Sequence, residues 1–398
     1  MEDTKKHVVL GVTGGIAAYK AVEIVSILVK KDIDVKVVMT NEAVKFVAPL
    51  TFQSLSKNVV SVDTFEEPKA WEIEHISLAT WADVYVVAPA TANIIGKVAN
   101  GIADDLLSTS IMATDSSKVV FAPAMNTNMY FNNIVQDNIK KLESYGYKFI
   151  APASGRLACG TSGMGKLESP EVIADYVMMN LNKKDLKGKK VLVTAGPTIS
   201  KIDPVRFITN RSSGKMGYRI AKEARNRGAQ VVLVSGPVAL KPIQGIKTVY
   251  IETNEEMKKA VFDEFSDSDI VIKAAAVADY KPEKYSTQKI KKSDSDLSIK
   301  FVRDTDILKE LGKMKDKQVL VGFAAESQNL VKNAKDKLKR KNLDFIVAND
   351  ITKADTGFSS DDNKVTIFSN DNEEFNLEKM EKDKIAEKLF DIIAKKRL

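Results

Sequence analysis

Cysteine and histidine are nearly absent from this chain of 398 residues, which holds one cysteine, Cys159, and two histidines, His7 and His75. A disulfide framework within the chain is thereby excluded, as is a multi-cysteine zinc site, and two histidines argue against a metal cluster. Long apolar runs are missing too. The first such stretch is broken by Lys20 and Glu23, and no segment approaches the roughly 20 apolar residues of a membrane span. With a start at Met-Glu-Asp this is unlike a secretory signal peptide, so a cytoplasmic location with no membrane partner is expected. Nor does either charge dominate. Lys+Arg number 60 against 53 Asp+Glu, a formal +7 that favours anionic ligands such as phosphates without singling out nucleic acid. Nucleic-acid binding would need aromatic residues interleaved with the basic clusters, and 289–292 and 332–341 show almost none. No nucleic-acid partner is expected.

What is present suits packed globular structure, with 44% apolar residues. The length exceeds what one hydrophobic core usually supports, so two domains are expected. β-branched runs at 7–13, 34–40, 84–88, 118–122 and 148–151 alternate with helical stretches, the pattern of βαβ units and a parallel sheet. A helix is predicted over 169–182. The charged segment KKDLKGKK at 183–190 has the composition of a solvated connector. A second series follows at 191–195, 230–235, 247–252, 269–274, 319–323 and 344–348. The predicted fold is α/β, with two doubly wound, mostly parallel-sheet Rossmann-like domains at 1–182 and 191–398 and a linker between. Open parallel sheets bind ligands beyond the carboxyl ends of their strands, and the motifs are sought there.

In the first half, the opening strand runs into Thr13-Gly14-Gly15-Ile16-Ala17-Ala18. Glycine lets the chain turn tightly, and the following helix can present N–H groups to a phosphate. The turn lacks both the GxGxxG and the GxxxxGK[ST] spacing, so a mononucleotide phosphate and a purely structural turn are both compatible with it. Two further strand ends read Ala-Pro-Ala, in PATAN (89–93) and PAMNTNMY (123–130). Small residues there admit a flat ligand close to the backbone, with amides and hydroxyls at its edge. Asn93 and Asn126 equally suit helix capping.

The run PAMNTNMY resembles the PxMNxxMW signature of the flavin-containing cysteine decarboxylases, with GGIAAYK, PATAN, NGIADDLLS and ASGRLACGTSGMGK in the places of that family's other blocks. Tyr130 stands where the signature has Trp, and Lys166 where Arg commonly follows, which replaces a bidentate carboxylate fork by a point charge. The resemblance implies a flavodoxin-like domain holding FMN, with Gly14, Gly15, Ile16 and Ala17 near its phosphate and Thr40, Phe46, Ala90, Thr91, Asn93 and Ser108 lining it. It implies that His75 manages a proton or polarises the site and that Asn126 holds the substrate carboxylate or amide in register with the flavin. Flavin would oxidise the CH2–SH of the cysteine moiety to a thioaldehyde, an electron sink for loss of CO2. Cys159, among glycines 160, 163 and 165, would close over the resulting enethiol and protonate it during re-reduction.

In the second half, the segment 203–217 (DPVRFITNRSSGKMG) is rich in Gly, Ser and Arg and suits phosphate binding. AAAVADY (274–280) ends an apolar strand, and KIKK (289–292) follows in a polar segment whose lysines by themselves suit a solvated surface. With VGFAAE, KLKRKNLDFIVAND and GFSSDDNKVTI, these blocks resemble the ligase that joins 4′-phosphopantothenate to cysteine, which in bacteria commonly follows the decarboxylase in one chain. The resemblance implies activation of the phosphopantothenate carboxylate by CTP to an acyl-cytidylate, then attack by the cysteine amine. Lys289 would neutralise charge at the α-phosphate, and Asn210 would donate to the acyl oxygen. Asp279 would read the base. Lys273, Ala274, Ala275, Thr305, Asp306, Ile307, Leu308, Phe323, Lys337 and Lys341 would complete the nucleotide site, and Arg206, Asn210, Ser212 and Ala276 would hold phosphopantothenate or phosphate. Mg2+ would accompany the triphosphate, although no carboxylate cage is visible. The substrates implied are thus 4′-phosphopantothenate, cysteine, CTP and the product of ligation, 4′-phosphopantothenoylcysteine. The family implies a homo-oligomer, with trimeric flavin domains and dimeric ligase domains combining as a dodecamer. A second half that binds nucleotide for regulation only, without ligase chemistry, is the competing reading.

Overall fold

Valine-rich runs, most of them buried on both faces, form the central parallel strands, and six strands make the sheet of the first unit. Their spatial order is Val60–Ser61, Asp34–Met39, His7–Val12, Val84–Ala90, Val119–Pro123 and Lys148–Phe149. The computed structural model describes residues 5–64, 73–156, 158, 160, 162–292, 297–326, 329–350 and 362–397. The chain divides into two compact units, Met1–Asn182 and Lys183–Leu398.

In the first unit the strand order reverses beside His7–Val12, which pairs with Asp34–Met39 on one side and Val84–Ala90 on the other. The crevice of a doubly wound sheet opens at such a switch point. Helix Ala18–Lys30 covers one face and turns Ala18, Ala21, Ile24, Val25 and Leu28 inward, the 3–4 spacing of a single helical stripe. Full burial of each large apolar side chain contributes roughly 1.5–3 kcal/mol. The expected helix over 169–182 is Pro170–Leu181, with Ser169 as its cap and Pro170 in its first turn. The short strand Val60–Ser61 was not expected, because two residues carry no periodicity.

The second unit holds eight strands in the order Lys247–Tyr250, Gln230–Ser235, Lys190–Ala195, Ile270–Lys273, Val319–Glu326, Phe345–Asp350, Asp362–Ser369 and Glu374–Glu381. The first six are parallel, and the last two add an antiparallel edge. That edge was not expected, since the charges of Glu374–Glu381 resemble a solvated helix more than a strand. The segment expected as a connector contributes Leu186, fully buried in the core of this unit. Its neighbours Lys183 and Asp185 join a charge cluster around Arg227, whose side chain is 1% exposed. The Arg227 guanidinium donates to Glu223 at 2.8 Å, Asp391 at 2.6 Å, Asp185 at 3.2 Å and the Glu387 carbonyl at 2.9 Å. A buried charge is tolerated when its donors are matched in this way. Among the described residues, no helix is long and apolar enough to cross a membrane.

Candidate functional site

Both switch points are tied together by hydroxyl groups. In the first unit, the buried Thr13 donates to the Pro89 carbonyl at 2.7 Å and accepts from the Thr91 N–H at 3.2 Å. The turn of Gly14 and Gly15 is thereby held beside Ala90 and Thr91. A side chain at Gly14 would place its Cβ 2.4 Å from that of Glu42, so only glycine lets the turn approach Thr40 and its short helix. No side chain caps Ala17, and at the head of the thirteen-residue helix Ala18–Lys30 the Ala18 and Lys20 N–H groups donate to the Gly15 and Ala17 carbonyls at 2.9 and 3.0 Å. Phe46 and Ile16 are half or more exposed at this rim, whereas Ala90 and Ser108 are fully buried.

Ser108 acts in a capping box with Asp105 at the head of helix Leu106–Ala113. Burial acts to raise the Asp105 pKa, but the bonds from Lys97 and Ser108 outweigh it and hold the carboxylate below its ordinary range. Half-buried His75 lies in the first turn of helix Glu74–Trp81, which packs against Leu106–Ala113. Asn93 is exposed and does not cap its helix, because Thr91 holds the capping position. Asn126 does cap: its side-chain oxygen accepts from the Asn128 N–H at 2.8 Å.

Over Asn126 lies a hairpin of Ala153–Arg156 and Ser162–Lys166. The Met125 N–H donates to the Gly165 carbonyl at 2.9 Å, and a Cβ at Gly165 would sit 2.3 Å from the Met125 carbonyl oxygen. Gly163 and Gly165 thus have a physical cause, the close seating of this hairpin on the Asn126 turn. Cys159, expected near its tip, lies outside the described residues. Lys166 is exposed, and Lys20, pushed down by burial and then by the Lys166 charge, donates to the Leu167 carbonyl at 3.2 Å. The hydroxyl of Thr127, which the sequence did not single out, is buried without a hydrogen-bond partner among the described residues.

In the second unit, the Ala275 N–H donates to Thr194 at 3.1 Å, and the Ala276 N–H to the Gly196 carbonyl at 2.9 Å. The loop after strand Ile270–Lys273 is thereby fastened to the loop after its neighbour. Between them opens a cavity of about 430 Å³. Its walls include Lys273, Ala274, Ala275, Asp279, Thr305, Asp306, Ile307, Leu308, Phe323, Lys337 and Lys341, together with Asn210, Ser212 and Ala276. Of the expected residues of this site, Arg206 and Lys289 are not in that wall. Sequence reasoning missed others that are, among them Lys215, Asn349, Asn363 and Lys382. Lys215 belongs to a quoted block, but Lys382 opens the last helix and had no motif to mark it.

The charges in this wall are arranged unevenly. Asp306 caps helix Ile307–Met314 and accepts from the Lys341 ammonium at 2.9 Å. Burial acts against the Asp306 charge, but Lys341 and the Lys309 N–H prevail and keep its pKa low. Lys273 is buried, and burial followed by the Lys341 charge pushes its pKa down to about 7. Helix Lys215–Asn226 begins at the cavity from Gly214, with φ of +74° and no side-chain cap. That helix sits close on the sheet because a Cβ at Gly217 would meet Thr194 O at 2.8 Å.

Arg206 instead serves an anchor. Its guanidinium donates to Asp203 at 2.7 Å and to the Ile290 carbonyl at 3.0 Å. Buried Asp203 also accepts from the N–H groups of Val205, Arg206 and Ile290, and these bonds outweigh desolvation and bring its pKa to about 2. The exposed Lys289 is therefore fastened to the body at the residue that follows it. Asn210 directs its amide N–H groups at the carbonyls of Ala276 and Val277, 3.2 and 3.1 Å away. A donor for an acyl oxygen must come from exchange of one of those bonds.

Comparison with known proteins assigns both units. The family described as Flavoprotein matches residues 1–182, and that described as DNA/pantothenate metabolism flavoprotein C-terminal domain matches residues 186–397. The coenzyme A biosynthesis bifunctional protein CoaBC of Bacillus subtilis is 49% identical over 381 residues, 95% of this chain and 94% of that protein. The protein of the same name from Borreliella burgdorferi is 44% identical over 395 residues, 98% of this chain and 100% of its own. Among solved structures, the C-terminal domain of a protein of that name is 45% identical with a TM-score of 0.47, covering 54% of this chain and 97% of the other.

Proposed function

Because the chain belongs to the family of bifunctional coenzyme A biosynthesis proteins, we propose that its two units catalyse consecutive steps. The second unit joins 4′-phosphopantothenate to cysteine, and the first decarboxylates the resulting 4′-phosphopantothenoylcysteine to 4′-phosphopantetheine. The observation that carries this reading is the cavity at the second switch point, which gathers cationic side chains, an uncapped helix start and Asp279 around one volume.

CTP suits that cavity. Asp279 accepts from the exocyclic amine of cytosine, Lys337 and Lys341 face the triphosphate, and Mg2+ accompanies it. Ser212 and the head of helix Lys215–Asn226 offer N–H and hydroxyl donors to a further phosphate. Attack of the phosphopantothenate carboxylate on the α-phosphorus releases pyrophosphate and leaves an acyl-cytidylate, which the cysteine amine then opens with loss of CMP. Negative charge develops at both steps. Lys289 neutralises the first from a loop fastened through Ile290, and Asn210 supports the second by exchanging a backbone carbonyl for the acyl oxygen.

The first unit fits FMN. Its glycine turn and the start of helix Ala18–Lys30, which no side chain caps, suit the phosphate, and the ring would lie among Thr40, Phe46, Ala90, Thr91, Asn93 and Ser108. Bound flavin supplies the two-electron oxidation that lets an amido carboxylate lose CO2. Asn126 keeps its oxygen on the Asn128 N–H and presents its amide N–H groups to the substrate, His75 manages a proton, and Cys159 returns one to the product. Exposed Ile16, Phe46 and Met129 near this rim support a homo-oligomer, for which we retain trimeric first units and dimeric second units.

The test is to purify the protein and inspect it for the flavin absorbance band. It is then supplied with phosphopantothenate, cysteine, CTP and Mg2+, and the products are read by mass. The reading expects a yellow protein that forms phosphopantetheine with release of CMP and CO2. A protein that cannot be loaded with flavin and forms no ligation product contradicts it.

A further inference from the structure

Lys273 ends the central strand Ile270–Lys273 at the switch point, and its side chain lies in the cavity wall at only 6% exposure. Its Nζ has one hydrogen-bond neighbour among the described residues, the Met257 Sδ at 3.4 Å, and a thioether is a weak acceptor. The carboxylate that acts on it, Asp306, is held by Lys341 at 2.9 Å. Among the described residues, the elements around it bring no other counter-charge. Its in-register neighbours on the flanking strands are Thr194 and Gly322, helix Asn254–Phe265 contributes Met257, and the end of helix Leu330–Arg340 brings Lys341, a like charge. An ammonium in such a place sheds its proton more readily, because burial penalises the charge and Asp306, already paired with Lys341, offsets only part of the penalty. That places its pKa near 7 in the empty protein, with burial as the larger cause and Lys341 as the smaller.

We propose that the Lys273 side chain is a proton-coupled anchor for the phosphate chain of the nucleotide, only partly charged in the empty cavity and fully charged once a polyanion arrives. The step is an acid–base one: the amine takes a proton from solvent, and the ammonium formed pairs with a phosphate oxygen. Lys341 moves within reach of the same anion as the phosphate competes with Asp306 for it. The lysine thus keeps only a partial unpaired charge in the empty site, yet presents a full one when a ligand of opposite sign fills it. The inference rests on the reading of this cavity as the nucleotide site.

The test is calorimetric titration of the whole protein with CTP and, separately, with tripolyphosphate, in buffers of different ionisation enthalpy. The variants are Lys273→Met, which keeps the volume of the stem, and Lys273→Arg, which keeps a permanent charge. Above pH ~7 the native protein is expected to take up close to one proton per ligand, with affinity falling by up to about tenfold per pH unit. The Met variant loses the uptake and the slope and binds more weakly. The Arg variant binds without uptake. Equal uptake in the native and Met proteins overturns the inference, as does none in the native protein. If CTP binds without Lys273-dependent uptake, the inference falls and the nucleotide reading stands. If tripolyphosphate alone binds, with that uptake, the nucleotide reading falls and the anchor is overturned as a nucleotide anchor, leaving a polyphosphate site. If neither binds, both fall.

Discussion

At the first switch point the strand ends carry Thr13, Ala90 and Thr91, and the nearby large side chains, Ile16 and Phe46, are apolar and exposed. At the second, the same topological position opens into a cavity walled by Lys273, Asp306, Lys337 and Lys341. One architecture therefore presents a flat apolar rim in one unit and a charged recess in the other, as a ring system and a polyanion respectively require. The contrast continues inside. The charged side chains buried among the described residues, such as Asp203, Arg227, Lys273 and Lys382, all belong to the second unit, whereas the first buries only hydroxyl groups as its polar side chains. Fold alone does not choose a ligand; the loops at the strand ends do.

That contrast can be broken from the side of chemistry first. Lys289→Gln is expected to lower ligation by on the order of 100-fold or more, while decarboxylation of supplied phosphopantothenoylcysteine stays unchanged, as separate assays of the two steps will read. Full ligation by this variant would revive a second unit that binds nucleotide only for regulation. Next in size is Arg227→Met, which removes the buried guanidinium shared by Glu223 and Asp391 and is expected to cost the second unit about 3 kcal/mol. Denaturant unfolding followed in the whole chain should show that transition shift while the first unit's stays in place. Smaller still is Gly312→Ala. The added Cβ would lie 1.9 Å from the Lys341 carbonyl oxygen, a backbone atom that must move, and the clash outweighs the gain in helix propensity. About 1–2 kcal/mol of stability and a measurable loss of CTP affinity are expected, since Lys341 is displaced with its carbonyl.

Much of this comparison could be read from residue order. The parallel strands appeared as β-branched runs because both their faces are buried, and the motif-bearing loops fell at their carboxyl ends. Legibility failed where topology rather than sequence brings groups together. Lys382 and Asn363 reach the cavity from the last helix and an antiparallel edge strand, far from any motif. Leu186 looked like part of a solvated connector because a single apolar residue among lysines carries no period. Arg206 was read as a phosphate ligand from its glycine- and serine-rich surroundings. Its pairing with Asp203 is local, three residues away, but its bond to the Ile290 carbonyl beside Lys289 joins segments more than eighty residues apart, which no local pattern displays.

Asn126 offers the most direct test of a division of labour between the units. Its oxygen caps the helix that follows, so Asn126→Asp keeps an acceptor for the Asn128 N–H while removing the amide donors. The variant is supplied with phosphopantothenate, cysteine, CTP and Mg2+, and its products are resolved by mass. The account predicts that phosphopantothenoylcysteine accumulates at the native rate of ligation, with phosphopantetheine reduced by on the order of 100-fold. Phosphopantetheine at the native rate, or loss of ligation together with decarboxylation in a folded protein, would contradict it.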